Sequence, residues 1–324
     1  MRRQPGRIAL SARWPATPRQ SATVMKLDHR AIIARSWPVA LLLVAMSAIQ
    51  SGASLAHTLF PVAGAAGTTS VRLIIAAAIL LAVLRPWRKT ISADAWKAIA
   101  IYGVALGAMN FLFYQALARI PLGIAVAFEF TGPLAVAVLS SRRVLDLIWV
   151  ALAMAGLAVL LWPGSDTTGA VTWPGAACAL GAGACWALYI LFGQKAGAVH
   201  GMHSAVLGVT IAAVVIAPIG IWEAGATLLE PRVLLFGAGV AVLSTALPYT
   251  LEMIALPRLP TATFGTLMSL EPAFGALSGL VFLGQELGTW QWLAIGAVMA
   301  ASIGTTLTPG AAPEPHAEEP PRPD

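Results

Sequence analysis

Charge is what this chain has least of. Asp, Glu, Lys and Arg together make up 10% of its 324 residues, beside 58% apolar residues, whereas a soluble domain carries roughly 25% charge. With a mean hydropathy of +0.79, the chain could not cover a water-facing surface with polar groups, and lipid asks for no such cover. Cysteine is scarcer still. Cys178 and Cys185 stand alone in one apolar run, separated on a helix by about 10 Å of rise, which is beyond disulfide reach. No further soft ligand accompanies them, so neither a metal site nor redox chemistry is expected. A Walker A loop, an H-E-x-x-H helix and a phosphate-cradling G-x-G-x-x-G are also missing. Direct ATP coupling is therefore not expected, nor is a cofactor, and uphill movement of a solute would have to run on an ion gradient.

The net charge of +6 comes from basic residues in short segments between apolar runs. That is the distribution the positive-inside rule produces. It offers no continuous basic face with interleaved aromatics, so nucleic acid is not an expected partner. The first 36 residues hold eight of the twenty Lys and Arg and no apolar stretch long enough for a signal peptide. Residues 1–36 read as a basic cytoplasmic arm, in which Met25 followed by Lys26 is an alternative start. Residues 309–324, rich in Pro, Glu and Ala, read as a disordered cytoplasmic tail.

Apolar runs near the ~20 residues that a bilayer demands fall at about 37–57, 67–84, 96–117, 121–140 and 146–163, then at about 173–194, 203–222, 232–256, 260–283 and 288–308. The expected fold is all-α and integral to the membrane, with ten transmembrane helices. With both termini cytoplasmic, 17 basic residues lie inside, Arg119 and Arg232 lie outside, and Arg72 falls within a span, an asymmetry of the expected sign. An internal match appears at a shift of 139. Ala116-Leu117-Ala118-Arg119-Ile120-Pro121 aligns with Ala255-Leu256-Pro257-Arg258-Leu259-Pro260, and Pro133 then falls on Pro272 without a gap. Halves with an odd number of spans run in opposite senses. The chain therefore reads as two five-helix repeats of inverted topology, 37–165 and 170–308, which would place a binding site near the midplane between them.

Glu129 lies about midway along the fourth run and Glu271 about midway along the ninth. Charge at that depth costs about 3 kcal/mol even on the mild insertion scale, so such a carboxyl faces a cavity, is paired, or holds a proton. Pro133 cannot donate to residue 129, nor Pro272 to residue 268, and both kinks free a carbonyl at aligned positions. The alternative is a kinked helix whose glutamate is protonated and bonded to a neighbour. Arg72, near the outer end of the second run, is either a counter-ion for a carboxylate or a snorkelling headgroup anchor. Gln50 in the first span, Asn110 in the third and Tyr249 in the eighth complete a candidate set for binding substrate and protons, against the simpler reading of hydrogen bonds between helices. Glu252, near the cytoplasmic end of the eighth span, is a candidate gate or an interfacial residue. Gly103 with Gly107, and Gly275 with Gly279, have the spacing of close helix packing. Trp37, Trp87, Trp149, Trp173 and Trp292 fall near span ends, as interfacial anchors do.

An enzyme is a weaker reading. Gly52-Ala53-Ser54-Leu55 resembles the nucleophile segment of intramembrane serine proteases, but that chemistry needs a histidine from another helix, and His57 lies on the same one. No catalytic residue is assigned.

The membrane portion from Trp37 to Leu307 is similar to the EamA-type family of the drug/metabolite transporter superfamily. Four stretches carry the resemblance: Ile49-Gln50-Ser51-Gly52-Ala53-Ser54-Leu55-Ala56; Pro121 to Ala137, including Phe128-Glu129-Phe130-Thr131-Gly132-Pro133; Cys178 to Ala187; and Leu243-Ser244-Thr245-Ala246-Leu247-Pro248-Tyr249 running on to Glu271-Pro272. The resemblance implies two EamA repeats of five helices in a bacterial inner membrane. It also implies export of threonine, homoserine and related small amino acids by exchange with protons. Export or import of another small metabolite or drug on the same fold is the alternative. The expected partners are a small amino acid, protons and the lipid bilayer, with a homodimer left open.

Overall fold

The computed structural model describes residues 29–86, 93–139, 144–161, 171–200, 202–255, 258–259 and 261–307. The arm before residue 29, Met25 included, Trp87 and the tail 309–324 lie outside these residues. The chain separates into two units, 1–36 and 37–324. The described part of the first is the opening of helix α1 (His29–His57), and the second holds every other helix.

Among the described residues all regular structure is helical. After α1 come α2 (Phe60–Leu84), α3 (Ala93–Leu117), α4 (Leu122–Glu129), α5 (Thr131–Leu139), α6 (Val144–Leu160), α7 (Trp173–His200) and α8 (Met202–Ala224). They are followed by α9 (Pro231–Ala241), α10 (Leu247–Ala255), α11 (Thr261–Met268), α12 (Glu271–Leu283) and α13 (Thr289–Leu307). A 3₁₀ turn (Gly225–Leu229) extends α8, and a π turn (Val242–Ala246) joins α9 to α10. In lipid every backbone amide must be satisfied within the protein, which a helix does for each segment alone. Eight segments are long and apolar enough to cross a membrane, and two shorter apolar helices, Leu147–Leu160 and Pro231–Ala246, fall in the fifth and eighth of the ten runs. Val83, Val214, Trp222 and Leu235 stand exposed on the outside, a surface suited to lipid rather than water. The described residues are all-helical in their regular structure and hold enough long apolar helices for a multi-pass membrane protein.

Two features differ from the sequence-based expectation. Helix α2 gains a short stretch from Phe60 ahead of the expected start near 67, joined to the rest across a kink at Gly64, whose φ of +67° and ψ of 169° are not helical. Only glycine takes that conformation without strain, and a hydropathy window reads the bend as a boundary. Trp149 is not an interfacial anchor: its ring lies across Gly304 of α13, and its indole nitrogen is buried. Trp173, by contrast, is exposed.

The helices pack as α2 on α8, α3 on α7 and α8, α6 on α13, and α4 on α12. Small residues allow the close crossings, as the glycine spacing predicts. A Cβ at Gly103 would meet Ile211 Cβ at 2.7 Å, and one at Gly107 would meet Ala212 Cα at 3.1 Å.

Candidate functional site

The fourth and ninth runs are each broken near their middle. Helix α4 ends at Glu129, Phe130 forms the joint, and α5 begins at Thr131. With Pro133 unable to donate, the Glu129 carbonyl needs another neighbour. It finds one in α7: a Cβ on Gly183 would lie 2.6 Å from the Glu129 oxygen, so only glycine lets the two backbones meet there. Thr131 Oγ1 closes the joint by donating to Phe128 O at 2.7 Å. In the ninth run α11 ends at Met268 and α12 starts at Glu271, with Pro272 in its first turn, where a missing N–H costs nothing. Ser269, buried between them, shares a 2.7 Å hydrogen bond with Ser302 of α13.

Between the two breaks lies a cavity of about 530 Å³, within the range of about 300–1,000 Å³ usual for small-molecule sites. Gln50 of α1, Arg72 of α2, Asn110 and Tyr114 of α3, Glu129 of α4, Ser244 of the π turn and Glu271 of α12 all line it. Glu129, Glu271 and Arg72 are 7%, 6% and 6% exposed. Both Arg72 and Glu271 are near enough to act electrostatically on Glu129. The cavity continues between α5 and α11, where Leu134, Ala137, Phe264 and Gly265 line it. On the opposite side α4 packs on α12, and of these two helices only the break-side residues Glu129 and Glu271 reach the cavity.

Arg72 is the residue whose expected position changes most. It lies eight residues beyond the Gly64 kink of α2, buried, and the headgroup-anchor reading fails. Its Nη1 donates to Ser244 Oγ at 3.0 Å, its Nη2 donates to Asn110 Oδ1, and the guanidinium lies 5.0 Å from the Tyr114 ring centroid. Asn110 is oriented in turn by donating from Nδ2 to Leu106 O at 2.7 Å, and Ser244 by donating to Val240 O at 2.6 Å. Neutral groups thus fix the guanidinium without cancelling its charge. Arg72 Nε and Gln50 Oε1 are buried without a hydrogen-bond partner, which is costly in an apolar interior. The wall presents a cation and two carboxyls. That set complements a small zwitterion, its carboxylate toward the guanidinium and its ammonium toward the carboxyls.

Of the residues singled out in the sequence, Gln50, Arg72, Asn110, Glu129, Pro133 and Glu271 share this cavity. Pro272 sits behind Glu271 in α12. Tyr249 and Glu252 lie on α10, and their side chains fall outside the described residues. Ser244 escaped the sequence reading, although its signal was present. Pro248 cannot donate to residue 244, by the same spacing that links Pro133 to Glu129, and the chain responds with a π turn, a distortion frequent at functional sites. Trp186, edge-on to Phe130 at 5.6 Å across the first break, was missed as well.

Known proteins are similar to this chain. The EamA-like transporter family matches residues 173–307. The threonine/homoserine exporter RhtA of Escherichia coli (strain K12) is 56% identical over 271 residues, which cover 84% of this chain and 92% of that protein. RhtA of Salmonella typhimurium (strain LT2) shows the same identity and coverage. The uncharacterized transporter YwfM of Bacillus subtilis (strain 168) is 29% identical over 248 residues, 73% of this chain and 82% of its own length. One solved crystal structure aligns over 83% of this chain and 98% of its own with a TM-score of 0.50 at 19% identity, a likeness of fold.

Proposed function

This chain belongs to the EamA-like transporter family, and on that premise we propose that it exports threonine, homoserine and related small amino acids from the cytoplasm in exchange for protons. It is a transporter and not an enzyme. The observation that carries the reading is the cavity lined by a buried guanidinium and, at two helix breaks, by two buried carboxyls.

The chain is two five-helix repeats of inverted topology, 37–165 and 170–308, with both termini cytoplasmic in a bacterial inner membrane. Element boundaries support the repeat independently of side chains. Helix α4 runs from 122 to 129 and α11 from 261 to 268, so both bounds recur at the shift of 139 found in the sequence. Arg72 receives the substrate carboxylate. Glu129 alternately holds a proton and the substrate ammonium, while Glu271 assists from the second half and Gln50 and Asn110 complete the shell. As the repeats rock, the site faces each side in turn.

Efflux of labelled threonine and homoserine from vesicles holding the purified protein, with and without a pH gradient and with unlabelled competitors, tests this. Saturable efflux that the gradient stimulates is expected, together with loss of that stimulation in Glu129→Gln. Unchanged pH dependence in Glu129→Gln would sink the proton role. Absence of efflux from folded, inserted protein would move the substrate to another small metabolite.

A further inference from the structure

Helix α4 begins with an unmet need. Its first residue, Leu122, is fully buried, and the cap position before it is Pro121, which offers no side-chain acceptor. A helix's first amides have no partner within the helix, and a buried one left bare is costly. The acceptor comes from 163 residues along the chain: Gln285 Oε1 takes the Leu122 N–H at 2.9 Å. Gln285 is itself fixed at the end of α12, where Gly284 turns the chain with a φ of +64° and Gln285 N donates to Gly279 O at 3.0 Å. Gly279 leaves room for the amide, since a Cβ there would sit 2.6 Å from Gln285 Oε1. Small residues continue the seam below: a Cβ at Gly123 would lie 2.6 Å from Ala276 Cα, and one at Gly275 would lie 3.0 Å from Val126 Cγ2.

The geometry points to Gln285 as a positioning residue whose side-chain amide latches α4 to α12, holding the outer path to the cavity shut while the cavity extends between α5 and α11. It touches no solute and acts through Leu122. The inference rests on the transporter reading, with the α4 N-terminus at the outer side. When α4 and α12 part, Leu122 N loses its only long-range acceptor among the described residues, so the bond biases the resting protein toward the inward-facing state. Gln285 also lines a shallow pocket of about 170 Å³ with Pro121 and Arg119, which gives water a way to the latch.

The test uses full-length protein with Cys178 and Cys185 replaced by alanine and a reporter thiol introduced as Val126→Cys, on the seam and 1% exposed as valine. A membrane-impermeant maleimide is added outside sealed right-side-out vesicles. Gln285→Leu, which removes the acceptor, and Gly279→Ala, which displaces it, should each speed labelling roughly fivefold or more, the shift that one ordinary hydrogen bond gives. Gln285→Glu keeps an acceptor oxygen and should label within about twofold of the parent. Parental labelling rates in both Gln285→Leu and Gly279→Ala would overturn the latch, as would equal rates in Gln285→Glu and Gln285→Leu. If Gln285→Leu does not fold, Gly279→Ala decides alone. Labelling needs no substrate, so missing threonine efflux would refute the proposed substrate and leave this result standing.

Discussion

Replacing Gly183 with alanine separates the two jobs of the α4–α7 crossing. The new methyl would lie 2.6 Å from the Glu129 carbonyl oxygen and 3.2 Å from Thr131 Oγ1, whereas ordinary contact begins at 3.4 Å. The shortfall of about 0.8 Å falls on backbone, which cannot swing aside as a side-chain tip does, so the break itself must move. Overpacking of this kind costs about 1–3 kcal/mol, and the better helix propensity of alanine returns about 1 kcal/mol. Net stability should therefore fall by no more than about 2 kcal/mol. Function is less forgiving, because a misplacement of about 1 Å in a site where geometry sets the rate costs on the order of 100-fold. The expected result is a thermal midpoint only a few degrees lower with threonine efflux reduced roughly tenfold or more. Gly181→Ala, two positions away, meets only the tip of Leu112 at 3.2 Å, and it should keep efflux within about twofold of the parent. Both are read as initial efflux rates from vesicles normalised to inserted protein, beside thermal unfolding in detergent. Gly183→Ala transporting as well as Gly181→Ala would refute the assignment of Glu129 and its carbonyl to the working site.

Other substitutions test other parts of the molecule. Arg72→Lys keeps the charge and loses the fork that engages Ser244 and Asn110. Efflux should drop about tenfold or more while gel filtration shows a folded protein. Glu271→Gln should raise the threonine concentration needed for half-maximal efflux and retain stimulation by a pH gradient; loss of that stimulation would make Glu271, not Glu129, the proton carrier. Gly304→Ala drives a methyl into the Trp149 ring, and neither residue lines the cavity. It should lower the thermal midpoint by the equivalent of about 1–3 kcal/mol with efflux per folded molecule unchanged.

Much of this architecture is legible in the sequence because lipid imposes two plain constraints: long apolar runs, and a cost for every charge within them. Glu129 and Glu271 stand out for the second reason, and Pro133 and Pro272 locate the breaks because a missing N–H acts four residues back wherever the helix sits. What escaped depends on backbone conformation and on partners distant in the chain. Gly64 looks like the end of a loop until its positive φ is seen to be a kink with a short helical stretch before it, and leaving out that stretch put Arg72 near the headgroups. Ser244 reads as one more hydroxyl until Pro248 is seen to force a π turn. The Gly275 and Gly279 spacing marks a close crossing without naming its partner, and the bond from Leu122 N to Gln285 Oε1 joins residues too distant in the chain to leave a periodic trace. Whether Trp149 anchors at the interface or packs inside turns on Gly304, and hydropathy cannot see which neighbour a tryptophan finds.

The guanidinium held by Asn110 and Ser244 also settles an electrical question. Arg72 is held in place by its partners and travels with neither solute, so the charge that crosses is set by what enters and leaves. In the proposed exchange an amino acid leaves as a zwitterion with no net charge, while each returning proton brings one. One-for-one exchange therefore draws one positive charge inward per turnover. A membrane potential negative inside then contributes about 2.3 kcal/mol per 100 mV, enough for a concentration ratio of roughly 50. Vesicles polarised with their pH gradient collapsed should still expel threonine, powered by voltage alone.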